Sequence, residues 1–344
     1  MISDKNKYKE YHTLKDSTVK KYVNEIQNII KQCNQILITT HIRVDGDAIG
    51  SEVALYHGLK KTGKSVSIAN NSSIPRILEF ITHNAGVYVY PEIPKEKADV
   101  VFVLDCPSIE RLGKIQKIIP NNATIINIDH HISSEYFGNV NWVASDVCAT
   151  GEIILSLLRE MDVEITPDIA TALYVAIVTD TGRFIHSNTT PEALKAAAFL
   201  LEHGARHSEI SKFIYNANSF HQIKLHSLAL DTLKLHLKNQ VATLSLTNKM
   251  LEKTNVNAMD THEFADIPVS IDNVSVGVLL REMSRPNRIK VSLRSRNGYD
   301  VNAVAKKFGG GGHKYAAGCE VDGSLDVVQQ LILDVLENML FREK

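Results

Sequence analysis

Acidic and imidazole clusters in this chain stand directly behind apolar, β-branched runs, and that placement limits the fold more than any other feature. His41, Asp45 and Asp47 follow Ile36-Leu37-Ile38-Thr39-Thr40; Asp105 ends Val101-Phe102-Val103-Leu104; Asp129-His130-His131 follows Thr124-Ile125-Ile126-Asn127-Ile128. Short apolar runs of this kind, with 66–69 as another, read as buried strands. Between them lie helical patterns at 48–61, where Ile49, Val53, Leu55, Tyr56 and Leu59 precede a stop at Gly63, and at 150–161, 167–178 and 191–203. The last two open on proline, which suits a first helical turn. Strands alternating with helices predict a parallel sheet, and open parallel sheets bind ligands just beyond the carboxyl ends of their strands, where these clusters fall.

At 344 residues the chain has room for two domains of roughly 150 residues each. The pattern changes near residue 220: 221–237 reads as a connecting helix running into a strand, followed by strand-like runs at 241–246, 274–280 and 289–293 among short helices. The expected fold is α/β, with a domain over 20–215 built on a mainly parallel sheet flanked by helices, a linker helix over 216–236, and a smaller α+β domain over 237–344.

A net charge of -1 excludes a uniformly basic surface that wraps a long polyanion, while leaving room for a short anion in a local pocket. Residues 1–31 lack the apolar core of a signal peptide, and no apolar stretch approaches the roughly 20 residues of a membrane span, so no membrane partner is expected. Cys33, Cys106, Cys148 and Cys319 are too scattered for a disulfide framework or a zinc cluster and fit a reducing cytoplasm.

An isolated Asp-x-Asp pair is most often a solvated turn. Here Asp180 also closes the apolar helix pattern 172–178, so Asp45, Asp47, Asp105, Asp180, His41 and His130 all stand at element ends. Gathered together they would repel and resist desolvation unless a cation neutralised them. Oxygen-rich ligation with some imidazole suits Mn²⁺ best, ahead of Mg²⁺, Co²⁺ or Zn²⁺. The set exceeds the needs of one ion. Two divalent ions sharing one carboxylate is the simplest solution, and it suits hydrolysis of a phosphate ester.

Taken in order, His41-x3-Asp45-x-Asp47, Asp105, Asp129-His130-His131 and Asp180 in Val178-Thr179-Asp180-Thr181-Gly182 resemble the motifs of the DHH phosphoesterase superfamily. The Gly-rich segment Gly309-Gly310-Gly311-Gly312-His313 resembles the DHHA1 domain found behind it. Over 20–340 the chain is similar to the NrnA-type branch of oligoribonucleases and pAp phosphatases. The resemblance implies that His41 and Asp45 hold one ion, that Asp47, His130 and Asp180 hold the other, and that Asp105 bridges them. His131 and Asp129 would form the catalytic pair, with His131 facing the substrate and Asp129 orienting rather than ligating.

Consecutive glycines often mark only a flexible loop, and the pattern lacks the Gly-Lys-Ser/Thr ending of a P-loop. Their backbone amides can still form an anion nest, and Arg294 offers a planar fork matched to phosphate. The resemblance implies that Ser292, Arg294, Gly311, Gly312 and His313 grip the far phosphate of the substrate, joined by Asn302 and Arg111. The substrates it implies are short oligoribonucleotides, cleaved to mononucleotides, and 3'-phosphoadenosine 5'-phosphate (pAp), converted to AMP and phosphate. An alternative with the same chemistry is a pApA or cyclic di-AMP phosphodiesterase. A nucleotide-binding regulator without catalysis is the reading of a different class, opposed by the full ligand set. A homodimer is the remaining partner considered. Trp142 is expected to pack a loop onto the first domain, Cys106 to be a small buried side chain, and His203, His207, His221, His226 and His236 to lie on helix surfaces or at helix ends.

Overall fold

A computed structural model describes residues 16–215, 219–258, 261–296 and 298–341, with the backbone alone for Asp16, His262, Glu263 and His313. The chain divides into two compact units, Met1–Ala217 and Asn218–Lys344.

The first unit runs α1 (Asp16–Gln32), β1 (Gln35–Thr40), α2 (Gly46–Lys60), β2 (Ser65–Asn70), β3 (Val87–Val89), β4 (Val100–Leu104), β5 (Thr124–Asp129), β6 (Val140–Val143), α3 (Thr150–Glu160), α4 (Pro167–Asp180), α5 (Pro191–Glu202) and α6 (His207–Ile210). Its strands are parallel and ordered β3-β2-β1-β4-β5-β6. Alternation of side chains sets the layers. Ile36, Ile38, Phe102, Leu104, Ile126 and Ile128 face a core shared with the α-helices. Leu37, Val101 and Val103 face a smaller cluster with Leu112 and Ile115 of the 3-10 segment Ile109–Ile118. In this strand order the connections after β1 and β4 leave in opposite directions, which opens a crevice between them at the carboxyl edge.

Register then lines up the chemistry. Thr40 pairs with Leu104 and Leu104 with Ile128, so His41, Asp105 and Asp129 leave three neighbouring strands at one level. Asp47 lies in the first turn of α2 and not in the preceding loop, because Asp45 caps the helix by accepting the Ala48 N–H at 3.1 Å.

Trp142 departs from its expected loop position. It lies on β6, fully buried, with its ring stacked on Tyr22 of α1 at 5.2 Å. The covering helix was hidden in a polar, Lys-rich stretch, and the edge strand in its brevity of four residues.

The second unit runs α7 (Phe220–Leu230), β7 (Lys234–His236), β8 (Val241–Leu246), α8 (Asn248–Thr254), α9 (Asp266–Val269), β9 (Val276–Glu282), β10 (Arg288–Ser295), α10 (Val301–Lys307), β11 (Gly311–His313), β12 (Ala316–Asp322) and α11 (Leu325–Phe341). Its sheet is ordered β11-β12-β10-β9-β8-β7, antiparallel except between β8 and β9. One core joins β9, β10 and β12 to α10 and α11, and another joins β8 and Leu279 to α7 and α8.

Among the described residues of the segment 216–236, expected as a linker helix running into a strand, Phe220–Leu230 is helical and Lys234–His236 forms β7. Leu225 and Ala229 bury that helix against Leu244 and Leu246 of its own unit. His236 accordingly sits on a strand, its ring Nε2 2.9 Å from the Thr243 hydroxyl, rather than on a helix.

The scaffold of the crevice is the tight contact of α2 with α4. A Cβ at Gly50 would strike the carbonyl oxygen of Ala172, with the Ala176 backbone nitrogen also within reach. Gly50→Ala is expected to destabilise the first unit by about 1–3 kcal/mol by forcing these helices apart. Denaturant unfolding of the purified variant measures this, and unchanged stability would show that the helices slip apart freely.

Candidate metal centre

Asp105 is the hub. It emerges from β4 in the left-handed region, φ 52°, a conformation that Asp tolerates better than most residues. Its backbone N–H donates to Ile128 O at 2.9 Å, which holds the turn against β5. Oδ2 lies 3.4 Å from His41 Nε2, while Oδ1 lies 3.5 Å from His130 Nε2 and 3.6 Å from His131 Nδ1. The Thr150 hydroxyl donates to the same Oδ1 at 3.1 Å. Burial opposes its ionisation, but the His41 contact and the charges of His130, His131 and His41 outweigh this and hold the carboxyl below the usual range.

The other ligand candidates surround it. His41 Nδ1 donates to Ile42 O at 2.7 Å, which turns Nε2 toward Asp105 and, at 3.6 Å, Asp45 Oδ2. His130 Nε2 is 3.8 Å from Asp47 Oδ2 and 3.9 Å from Asp180 Oδ2. Asp47 is anchored at the start of α3: Oδ2 accepts the Thr150 N–H at 2.7 Å, and Oδ1 accepts the Gly151 N–H at 2.9 Å. The structure thus brings together His41, Asp45, Asp47, Asp105, His130 and Asp180. Two groups close enough to share an ion, His41 with Asp45 and Asp105, and Asp105 with His130 and His131, meet at Asp105.

These residues fit a divalent cation. The imidazole to carboxylate separations are too long for good hydrogen bonds, yet they approach the spacing of donors arranged about an ion at about 2.1 Å from each. Without a cation the centre collects protons. Burial disfavours His41's charge, but Asp105 and Asp45 raise its pKa to about 10. Burial, with repulsion from Asp105 and Asp45, lifts Asp180 to about 7, and burial with neighbouring carboxylates lifts Asp47 well above the usual range.

His131 and Asp129 form a separate pair beside the hub. Asp129 is fully buried; its Oδ1 accepts from His131 Nδ1 at 2.7 Å and from the His130 N–H at 2.9 Å. Burial lowers the His131 pKa, but Asp129 and Asp105 raise it above its ordinary value. Arg111 reaches the neighbourhood through its backbone, its carbonyl accepting the Ile42 N–H at 2.7 Å. Cys106 is buried, and burial pushes its thiol up to about 12, which removes it from nucleophilic chemistry near neutral pH.

In the second unit, Ser292 and Arg294 alternate with buried Val291 and Leu293 on β10. The ladder places Ser292, Gly318 and Gly311 in one row and Arg294, Ala316 and His313 in another. Gly311, Gly312 and His313 form an edge strand rather than an open loop. The Arg294 guanidinium is engaged by Asp266, with Nε to Oδ1 at 2.9 Å. Asn302 stands beside Gly311 with its side-chain oxygen buried and unpartnered among the described residues.

Several residues at the first centre escaped sequence reasoning. Thr150 bridges Asp47 and Asp105 across 103 and 45 residues, separations that carry no local signal. Asn188 contacts Asp180 from an irregular segment. Glu52, fully buried on α2, accepts from Asn70 at 2.7 Å; it occupied an unremarked polar position in the helical pattern.

A doubly wound parallel domain with clustered His and Asp donors at its switch point defines a class of metal-assisted hydrolytic sites. The chain matches the DHH family, N-terminal domain, over residues 35–177 and the DHHA1 domain over residues 238–339. It is 32% identical over 309 residues to the bifunctional oligoribonuclease and PAP phosphatase NrnA of Thermus thermophilus, covering 89% of this chain and 90% of that one. Identity to the Bacillus subtilis protein of the same name is 26% over 314 residues, covering 90% and 96%. A solved structure of an exopolyphosphatase-related protein from Bacteroides fragilis is similar with a TM-score of 0.88 at 28% identity, covering 93% of this chain and 96% of that one. The chain belongs to the DHH/DHHA1 phosphoesterase family.

Glu52 gives the centre a pH signature. Burial raises its pKa from 4.5 to about 8, against the opposing Asn70 hydrogen bond. The folded state therefore holds a proton that the unfolded chain releases, so stability falls as pH rises from about 4.5 to about 8. In chelator-stripped protein this component is expected to be a few kcal/mol and to vanish in Glu52→Gln. Denaturant melts across that range test it; parallel pH profiles for the two proteins would refute it.

Proposed function

We propose that this chain is a divalent-metal-dependent phosphoesterase that releases mononucleotides from short oligoribonucleotides and converts pAp to AMP and phosphate. The gathering of three further carboxylates and two imidazoles around Asp105, in a chain related over most of its length to NrnA proteins, carries the reading. His41 and Asp45 would hold one ion and Asp47, His130 and Asp180 the other, with Asp105 shared between them and Mn²⁺ the preferred metal by ligand chemistry. Bound ions at such a centre supply charge neutralisation and an activated water for in-line displacement at phosphorus.

The protein's own groups divide the remaining work. The Asp129 carboxylate fixes the His131 ring, and the raised pKa of His131 suits it to contact the phosphoryl group and supply a proton to the departing oxygen. The catalytic domain spans 20–215, and the domain over 237–344 selects substrates. There Ser292, Arg294, Gly311, Gly312, His313 and Asn302 hold the far phosphate, and Arg111 is the substrate-binding candidate of the first domain. Among the described residues no helix is long and apolar enough to cross a membrane. The four free, buried cysteines suit a reducing cytoplasm.

Asp105→Ala is expected to lower hydrolysis of pAp and of a short RNA by roughly a thousandfold, and chelation to abolish both in the wild type. Steady-state assays with added Mn²⁺ check this; activity indifferent to metal would overturn the reading. Arg294→Ala should raise KM for pAp about tenfold with little change in kcat, since it removes a charge-assisted contact away from the reacting phosphorus. An unaltered KM would remove Arg294 from substrate binding and leave the chemistry of the centre intact.

A further inference from the structure

Asp180 has less support than the buried ligand candidates Asp47 and Asp105. Asp47 receives two backbone N–H groups and the Ser51 hydroxyl, and Asp105 receives the Thr150 hydroxyl while facing three imidazoles. Asp180 instead ends α4, its side chain 33% exposed against 2–3% for Asp47 and Asp105, at the carbonyl pole of the helix, where a negative charge is disfavoured. A carboxylate so placed can swing into water and leave the centre. Among the described residues, Asn188 is the donor that reaches it.

Asn188 Nδ2 stands 3.2 Å from Asp180 Oδ2, 3.2 Å from the Asp180 carbonyl oxygen and 3.1 Å from the Cys148 carbonyl oxygen. All three neighbours are acceptors, so the nitrogen and not the oxygen of the amide must face them. The amide oxygen is left buried without a partner among the described residues. A side chain serving only to close a loop would not need to leave a buried carbonyl unsatisfied. Through Cys148, the same amide ties the end of α4 to the segment leading into α3, whose first N–H groups hold Asp47.

We propose that Asn188 is a positioning residue that holds the Asp180 carboxylate toward the centre, so that its loss selectively weakens the ion Asp180 serves. This inference rests on the two-ion reading above. Direct ion binding tests it. Chelator-stripped wild-type chain, Asn188→Leu, which keeps the volume without the donors, and Asn188→Ala are titrated with Mn²⁺ by calorimetry and melted without metal. Wild type is expected to take up two ions. Both variants should keep one ion within about twofold and bind the other about 10- to 100-fold more weakly, with metal-free melting close to wild type. Two unaltered ions, equal weakening of both, or a lowered melting temperature with unaltered ion binding each overturn the proposal. A wild-type chain that takes up no Mn²⁺ overturns the two-ion reading itself.

Discussion

The structure of the first unit depends on bringing carboxylates together out of water. Asp47 and Asp105 are each only 2% exposed, with Asp45 and Asp180 adding charge beside them. Desolvation and mutual repulsion both oppose this. The fold offsets part of the cost by aiming donors at the cluster. α2 begins there, with Asp45 as its cap and Asp47 in its first turn, and α3 begins there too, giving its Thr150 and Gly151 N–H groups to Asp47. Two positive helix ends thus point at one negative cluster. The three imidazoles around Asp105 supply further compensation, and a divalent cation held there would supply the rest.

This arrangement makes the helix packing part of the chemistry. Asp47 at the start of α2 and Asp180 at the end of α4 reach the same His130, so the separation of these helices sets the span of the centre. Gly50 and Ala172 keep them in close contact. The strand side is fixed differently, by register: a one-residue slip of β1 against β4 would send His41 to the opposite face of the sheet. Helix contact and strand register therefore have to agree for one cluster to form.

What was legible in the sequence follows from range. Short continuous apolar runs, each followed by an acid or imidazole, revealed β1, β4 and β5 and the ligand candidates beyond them. Those signals are local. α1 and β6 were not legible, because α1 lies in a Lys-rich stretch and β6 is a four-residue edge strand holding Trp142. The boundary of α2 was misplaced because Asp45 reads equally as a ligand and as a cap, and in the structure its Oδ1 caps the helix while Oδ2 faces His41. Thr150 was out of reach for another reason: its partners Asp105 and Asp47 lie 45 and 103 residues away, and only the tertiary fold makes it a neighbour of the centre. Asn188 lies only 8 residues from Asp180, but in an irregular segment that carries no periodic signal.

The Gly-rich segment shows how one motif can satisfy two demands. Gly310 is required by packing, since a Cβ there would strike the Gly318 carbonyl and Cys319 of β12. Gly311, one residue on, is different. A Cβ on Gly311 would meet nothing closer than the Asn302 side-chain oxygen at 3.9 Å, an ordinary contact. Its backbone needs no left-handed conformation either, as it is absent from the positive-φ glycines. Among the described residues nothing therefore demands glycine at 311, whereas an approaching phosphate would benefit from bare backbone there. The Asn302 oxygen beside it, without a partner among the described residues, and Ser292 in the same row of the sheet support the proposed grip on the far phosphate at that edge.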